Sequence, residues 1–368
     1  MRMRDTYIED QLTLADAGVR IIPINIVDPI SELIIGVRAT NHGQNILNYA
    51  HNVFTKCELV DGSDVLMSMD FKQLQAMHFY NRGTVPHMGI YEWGGGEQRA
   101  YQNLIFGRDL MDPDYAFDPT KFRNPQLRIT WDLATIRAVG ADGFAAGSGD
   151  LTVIARCMEE VPYRPKAFFM TKEIYDWSTA AAGDEPIVLP TDYPYRMLMV
   201  RAHEVVAKPL TRVGTPMFKY IKDLRMSCDQ DAYVPFDYHT RELLWIMEEW
   251  FGTAMTNGKY YADEADWRPI FIGNAPSGHL DLHTPATSGG IQDIYASWAQ
   301  FYLNADNNGV IVSVDGEGYH NTWCIPFGSP NQPGEWFDPT VHKSIRLLAT
   351  QDSADGDASV VLQQVRPQ

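Results

Sequence analysis

"DPTKFRNPQLRITWDL", residues 118–133, is the stretch on which the fold turns. Its second half alternates Leu127, Ile129, Trp131 and Leu133 with Arg128, Thr130 and Asp132, the period-two pattern of a strand with one buried face. Pro119 and Pro125 precede it. Proline has no N–H to give to a ladder, so both are expected to hold the chain extended and to fix where pairing starts. A slip of one residue would turn Leu127, Ile129 and Trp131 outward, so a defined start protects the core face. A degraded version, "DPTVHKSIRLLATQD", returns at 338–352, with Pro339 ahead of Ile345 and Leu347.

Working outward, other segments recur in the same order. "AGVRIIPINIVDPISELIIGVRATN" (17–41) is echoed by "AGDEPIVLPTDYPYRMLMVRAHE" (182–204), closing on Val37-Arg38-Ala39 and Val200-Arg201-Ala202. "DVLMSMD" (64–70) is aligned with "DLRMSCD" (223–229). Each half then has a candidate helix ending at Gly-Thr, one with Leu74, Met77 and His78 on a face, the other with Leu243, Ile246, Met247 and Trp250. Each half finishes with strand, turn and strand: 127–136 and 151–161 in the first, 344–351 and 358–365 in the second. Fixed order across several short matches indicates a duplication.

Pro162 and Pro165 interrupt regular structure between the copies, which places a first domain at 1–162 and a second at 163–368. The second carries longer loop insertions over about 229–340, with short strands expected at Ile270–Ile272 and Val310–Val314. Many short strands with Pro- and Gly-marked turns and few helices give an all-β class: two tandem eight-stranded jelly rolls with short helices in loops.

Composition narrows the function. Of 368 residues, 45% are hydrophobic and 21% charged, as in an ordinary folded protein. A formal charge of −17 repels phosphates, so no direct nucleic-acid binding is expected. There is no signal-peptide core and no apolar run long enough to span a bilayer, so the expectation is a soluble chain made in the cytosol. Cys57, Cys157, Cys228 and Cys324 are scattered, without a C-x-x-C pair, and read as buried free thiols.

"FGRDLMDPDYAFDPTKFRNPQLRITWDL" (106–133), with "MSMDFKQLQAMHFYNRG" before it and "LPTDYPYRMLMVRAHE" and "KDLRMSCDQDAYVPFDYHTRELL" after it, resembles the double jelly-roll major capsid proteins of tailless icosahedral viruses. It looks most like those of membrane-containing bacteriophages, over most of the chain except about 255–335. The resemblance implies a homotrimer forming a pseudo-hexameric capsomer, and neighbouring capsomers, penton and minor capsid proteins as partners. It also implies contact with an internal viral membrane, a place in the virion capsid after synthesis in the host cytoplasm, no enzymatic activity and no cofactor.

Several groupings invite chemistry. His279, Asp281 and His283 in "GHLDLH" would share one face of a strand as a metal triad, which makes a two-domain cupin-like metalloenzyme the alternative function. The His-x-Asp-x-His spacing lacks a His-x-His pair, and an exposed polar face is the competing reading. Asp352, Asp355 and Asp357 in "DSADGD" could hold Ca²⁺, but they lack EF-hand spacing and fit a solvated hairpin turn. "WGGGEQ" (93–98) matches no phosphate-binding loop, and Ser148 in "AAGSGD" forms no nucleophile elbow. Trp245, Trp250 and Phe251 are expected in the core or at a subunit contact, and a carbohydrate-binding β-sandwich would instead expose such rings.

Overall fold

The computed structural model describes residues 1–42, 50–89, 95–133, 143–204, 217–252, 318–354 and 356–368, together with the backbone of the strands between 254 and 316. The first half of the chain runs β1 (Arg2–Leu14), β2 (Ala17–Pro23), β3 (Ile30–Thr40), β4 (Phe54–Asp61), β5 (Asp64–Met69), helix α1 (Phe71–Arg82), β6 (Met88–Gly89), β7 (Glu97–Ile105), β8 (Pro125–Asp132) and β9 (Gly149–Glu159). The second runs β10 (Ala167–Ser178), β11 (Gly183–Leu189), β12 (Tyr195–Glu204), β13 (Ile221–Cys228), β14 (Tyr233–His239) and helix α2 (Thr240–Phe251). After α2 come β15 (Ala254–Tyr261), β16 (Arg268–Phe271), β17 (Leu280–His283), β18 (Gly289–Tyr295), β19 (Trp298–Leu303) and β20 (Gly309–Gly316), then β21 (Thr322–Pro326), β22 (Ile345–Gln351) and β23 (Gly356–Pro367).

Pairing gives the same pair of sheets twice. In the first half β1-β9-β3-β7 form one sheet, with β6 at its end, and β2-β8-β4-β5 the other. In the second half the orders are β10-β23-β12-β21 and β11-β22-β13-β14. Taken in chain order, β1–β5 and β7–β9 each have a counterpart in β10–β14 and β21–β23, and each helix follows the same strand, α1 after β5 and α2 after β14. The extra strands β15–β20 lie between α2 and β21, where the first module passes from α1 to β7 in a short connection. They form two separate three-stranded sheets, β15-β20-β17 and β16-β19-β18.

The opening strand behaves as its alternation demands. Along β8, buried and half-buried residues alternate without a break: Leu127 and Ile129 are wholly buried, and Trp131 donates its indole N–H to Ala15 O at 2.8 Å. Pro119 departs from the expectation. It opens a 3₁₀ turn, Pro119–Lys121, whose fixed proline φ suits a helical first position as well as an extended one. Asp118 caps this turn, accepting from Thr120 N (3.1 Å) and Oγ1 (2.7 Å). Pro339 opens the same turn in the second module, with Asp338 accepting from Thr340 N (3.0 Å) and Oγ1 (2.6 Å). Pro125 is the first residue of β8, where a missing donor does no harm.

One alignment made from sequence is displaced by a strand. Asp64–Met69 is β5 and leads into α1, so its counterpart is β14, which leads into α2; "DLRMSC" is β13, the counterpart of β4. The misreading has a physical cause, since Leu66, Met67 and Ser68 and likewise Leu224, Met226 and Ser227 are buried, and two inward-facing strands select similar residues. The Val37-Arg38-Ala39 and Val200-Arg201-Ala202 match holds strand for strand, in β3 and β12.

Helix α1 is specified locally. Asp70 accepts from Gln73 N (2.6 Å) while Gln73 Oε1 accepts from Asp70 N (2.9 Å), a reciprocal capping box, and Gly83 ends α1 at φ +64°. All four cysteines are buried and free. Among the described residues, no helix is long and apolar enough to cross a membrane. Most buried apolar side chains of both modules join into one contiguous cluster, and Ala167, Phe169, Trp336 and Val365 form a smaller one against which Tyr115 packs.

Because Ile129 is enclosed by the facing sheet, Ile129→Ala is expected to lower unfolding free energy by about 2–5 kcal/mol, whereas Thr130→Ala, on the opposite face, changes it by less than about 0.5 kcal/mol. Urea titration of the two variants checks the assignment of faces.

Candidate functional site: the seam between the modules

The two modules meet edge to edge. Strand β5 runs parallel to β10, with Met67 opposite Thr171 and Ser68 opposite Lys172, so that β2-β8-β4-β5-β10-β23-β12-β21 is one continuous eight-stranded sheet. Helix α1 lies over this junction. From it Gln73 bonds Ser359 Oγ (3.0 Å) and Glu173, Tyr80 donates its hydroxyl to Thr322 O (2.6 Å), and Asn81 Oδ1 accepts from Arg196 (2.5 Å). Arg196 is almost wholly buried, also donates to Pro330 O (2.7 Å), and sits over the Phe169 ring at 4.5 Å. Burial lowers its pKa to about 10, so it stays charged at neutral pH.

The segment "FGRDLMDPDYAFDP" also belongs to the seam. Asp112, buried, accepts from the Arg108 guanidinium (2.7 and 2.9 Å) and from the backbone N–H of Arg108, Asp114 and Tyr115. The guanidinium lies 4.8 Å from the Tyr115 ring centre. This closed loop presents Tyr115 to Phe169 and Trp336 of the second module, each ring 5.7 Å away, and Ala116 N to Ala167 O (3.1 Å). Gly107 permits the loop, since a Cβ there would stand 2.2 Å from Tyr115 O.

One ion pair separates the modules chemically. In the first, Arg38 faces Asp150 across β3 and β9 and pairs with it at 3.0 Å. In the second, the matching Arg201 faces Ser359, which carries no charge. Its carboxylate comes from the other module: Asp70, the α1 cap, at 2.7 Å. Arg201 is 5% exposed, so it depends on that partner far more than a surface arginine would.

Around this pair lies a buried basic cluster. His51 of the first module and His320 of the second have ring centres 5.1 Å apart, and His320 Nε2 donates to Gln75 Oε1 (2.5 Å). Burial holds His51, His203 and His320 well below the usual histidine pKa, and Lys72 and Arg201 push in the same direction. Lys72 itself is lowered to about 8, first by burial and then by Arg201. The histidines are therefore neutral in the folded protein at neutral pH.

His279 and Asp355 lie outside the described residues. Asp281 and His283 belong to the backbone of β17. Asp352 is exposed, and Asp357 accepts from Ser178 Oγ (3.1 Å). Among the described residues no three His, Cys, Asp or Glu side chains are grouped to hold a metal ion. Ser148 donates to Ala145 O (2.7 Å) and Thr40 O (3.2 Å), a turn-closing role. Of "WGGGEQ", residues 93 and 94 lie outside the described set. Phe251 packs on Tyr80 with ring centres 5.0 Å apart, but Trp245 and Trp250 are 67% and 47% exposed and so do not belong to the core. Sequence reading missed the seam residues, although Arg201 matching Arg38 while Ser359 replaces its acidic partner was a signal visible once the strands were aligned.

Solved structures resemble this chain along its length. The STIV major capsid protein, from Sulfolobus turreted icosahedral virus, superimposes with a TM-score of 0.59 at 10% identity, covering 99% of this chain and 96% of the other. The PBCV-1 virus capsid gives 0.60 at 10% identity, covering 99% and 93%. The major capsid protein of bacteriophage PM2 gives 0.54 at 10% identity, covering 100% and 98%. The chain is a double jelly roll. No protein-family model and no curated protein matches the sequence. Within the double jelly roll, the seam is the junction between its two barrels.

Two outcomes follow for the seam. Asp70→Asn strands a buried guanidinium and is expected to lower stability by about 2–4 kcal/mol, less than a fully buried pair because Asp70 is partly exposed; urea unfolding measures it. For the histidines, the folded-state pKa lies below the unfolded value of ~6.5, so the unfolded chain binds protons that the folded chain refuses. Stability is then complete above about pH 6.5 and falls as pH drops below it. His320→Gln is expected to flatten that fall in a urea series from pH 7.5 to 5.

Proposed function

We propose that this chain is a major capsid protein: a structural subunit that assembles as a homotrimer with a pseudo-hexagonal outline and tiles an icosahedral virus shell. The observation that carries the reading is the strand-for-strand duplication, β1–β5 and β7–β9 against β10–β14 and β21–β23, joined by an internal seam. Three chains with two like modules each place six similar units round an axis, so a threefold object can occupy a hexagonal lattice position. The likeness in fold to the capsid proteins named above supports the same reading.

The domain division at 162/163 is part of the proposal. Among the described residues, ladders within 2–159 and within 167–367 are each self-contained apart from β5–β10 and the single bridge Tyr115–Ala167, which supports a linker between Glu159 and Ala167. The strands β15–β20 would distinguish one module from the other round the ring and break sixfold likeness to threefold. Placement in the virion, contacts with neighbouring capsomers, penton and minor capsid proteins, and contact with an internal membrane follow from the same reading. The acidic charge favours a wall kept away from the genome. Its work is assembly and not catalysis, with many modest contacts adding up across the shell.

Size-exclusion chromatography with light scattering tests the subunit. The expected mass is three times the 41.6 kDa of the chain; a monomer persisting at micromolar concentration would contradict the proposal.

A further inference from the structure

The seam inside one chain is a template for contact between chains. It joins β5 of the first module to β10 of the second. The strands matching these two are β14 in the second module and β1 in the first, and among the described residues each is the end strand of its sheet. Joining β14 of one chain to β1 of the next is a head-to-tail contact, and such a contact closes into a ring when the rotation permits. We propose that β14 docks alongside β1 of a second copy, in the register of the internal β5–β10 pair. This rests on the capsid reading and names the surface it would use.

The register follows from strand pairing. Thr171 and Lys172 lie opposite Gln363 and Leu362, which lie opposite Met197 and Leu198. In the first module the corresponding chain of partners is Tyr7 and Glu9, Ile154 and Val153, and Ile34 and Ile35, with a bulge between Tyr7 and Glu9. On the other side, counting back from the helix caps Asp70 and His239 matches Met67 and Ser68 with Phe236 and Asp237. The docked pair therefore sets Phe236 against Tyr7 and Asp237 against Glu9. The edges also carry apolar surface that a neighbour would cover, with Tyr7 60% and Tyr233 52% exposed.

The charges differ from those of the template in one consistent way. Inside the chain, Arg201 takes its carboxylate from across the seam. Near the outer edges the corresponding groups find partners in their own module: Arg38 on β3 with Asp150 (3.0 Å), His239 on β14 with Asp223 (2.5 Å), Glu9 on β1 with Arg20 (2.7 Å) and Asp237 on β14 with Arg225 (3.4 Å). Parting the inner seam would strand the buried Arg201, whereas its counterpart Arg38 keeps its carboxylate in a free chain. The inner junction is permanent, and the outer one can form and release.

Cysteine pairs report the register, since strand partners lie within disulfide reach and the four natural cysteines are buried. Oxidised Glu9→Cys/Asp237→Cys protein is expected to run on a non-reducing gel as linked dimers and trimers and nothing larger. An equimolar mixture of the two single variants should give linked dimers, and either variant alone none. A trimer by light scattering without these links overturns this inference and leaves the capsid reading standing. A monomer without links overturns both. Links within one single variant, or a ladder beyond three chains, overturn the head-to-tail ring.

Discussion

The guanidinium of Arg201 is shut away from water, and its counter-charge sits on the other module. Removing a charge from water costs far more than the few kcal/mol by which a domain is stable, unless a partner of opposite sign comes with it. Asp70 is that partner, and it is also the residue that starts α1. One carboxylate therefore sets where the helix begins and ties the first module to the second. The continuous sheet through β5 and β10, the Tyr115 and Trp336 contacts and the buried histidines all take their places around that tie.

This arrangement gives duplication a mechanical meaning. Two copies of a sandwich on a loose linker would move independently, since small interfaces between domains permit motion by default. Here a shared sheet, a shared apolar cluster and buried polar contacts fix the angle between copies. The proposed role as a tile would need that rigidity, because neighbouring copies would read the angle. The cost falls on pH tolerance, since the same burial that excludes water from the seam keeps its histidines from protonating.

Much of this was legible in the sequence because strands with one buried face write their period plainly. Leu127, Ile129 and Trp131 announced β8, and Val-Arg-Ala announced β3 and β12. Two readings failed for physical reasons. The period-two pattern marks a strand without saying which strand, so "DLRMSC" was matched to β5 when it is β13. Proline's φ suits both extended chain and the first turn of a helix, so Pro119 and Pro339 did not reveal the Asp-capped 3₁₀ turns they open. The seam left only the Arg201 and Ser359 signal in the sequence, because it is built from contacts between residues more than a hundred positions apart, such as Asp70 with Arg201 and Asn81 with Arg196. Tyr115, by contrast, lay inside the stretch that carried the family resemblance, where its motif was apparent and its role was not.

In the proposed function, one chain supplies two like, rigidly joined units. Electron-microscope class averages of the purified protein viewed down its symmetry axis test it most directly. The expected particle has a six-lobed, hexagonal outline with threefold symmetry, two lobes for each chain. A particle with one lobe per chain, or two-lobed particles whose lobes vary in relative angle, would contradict it.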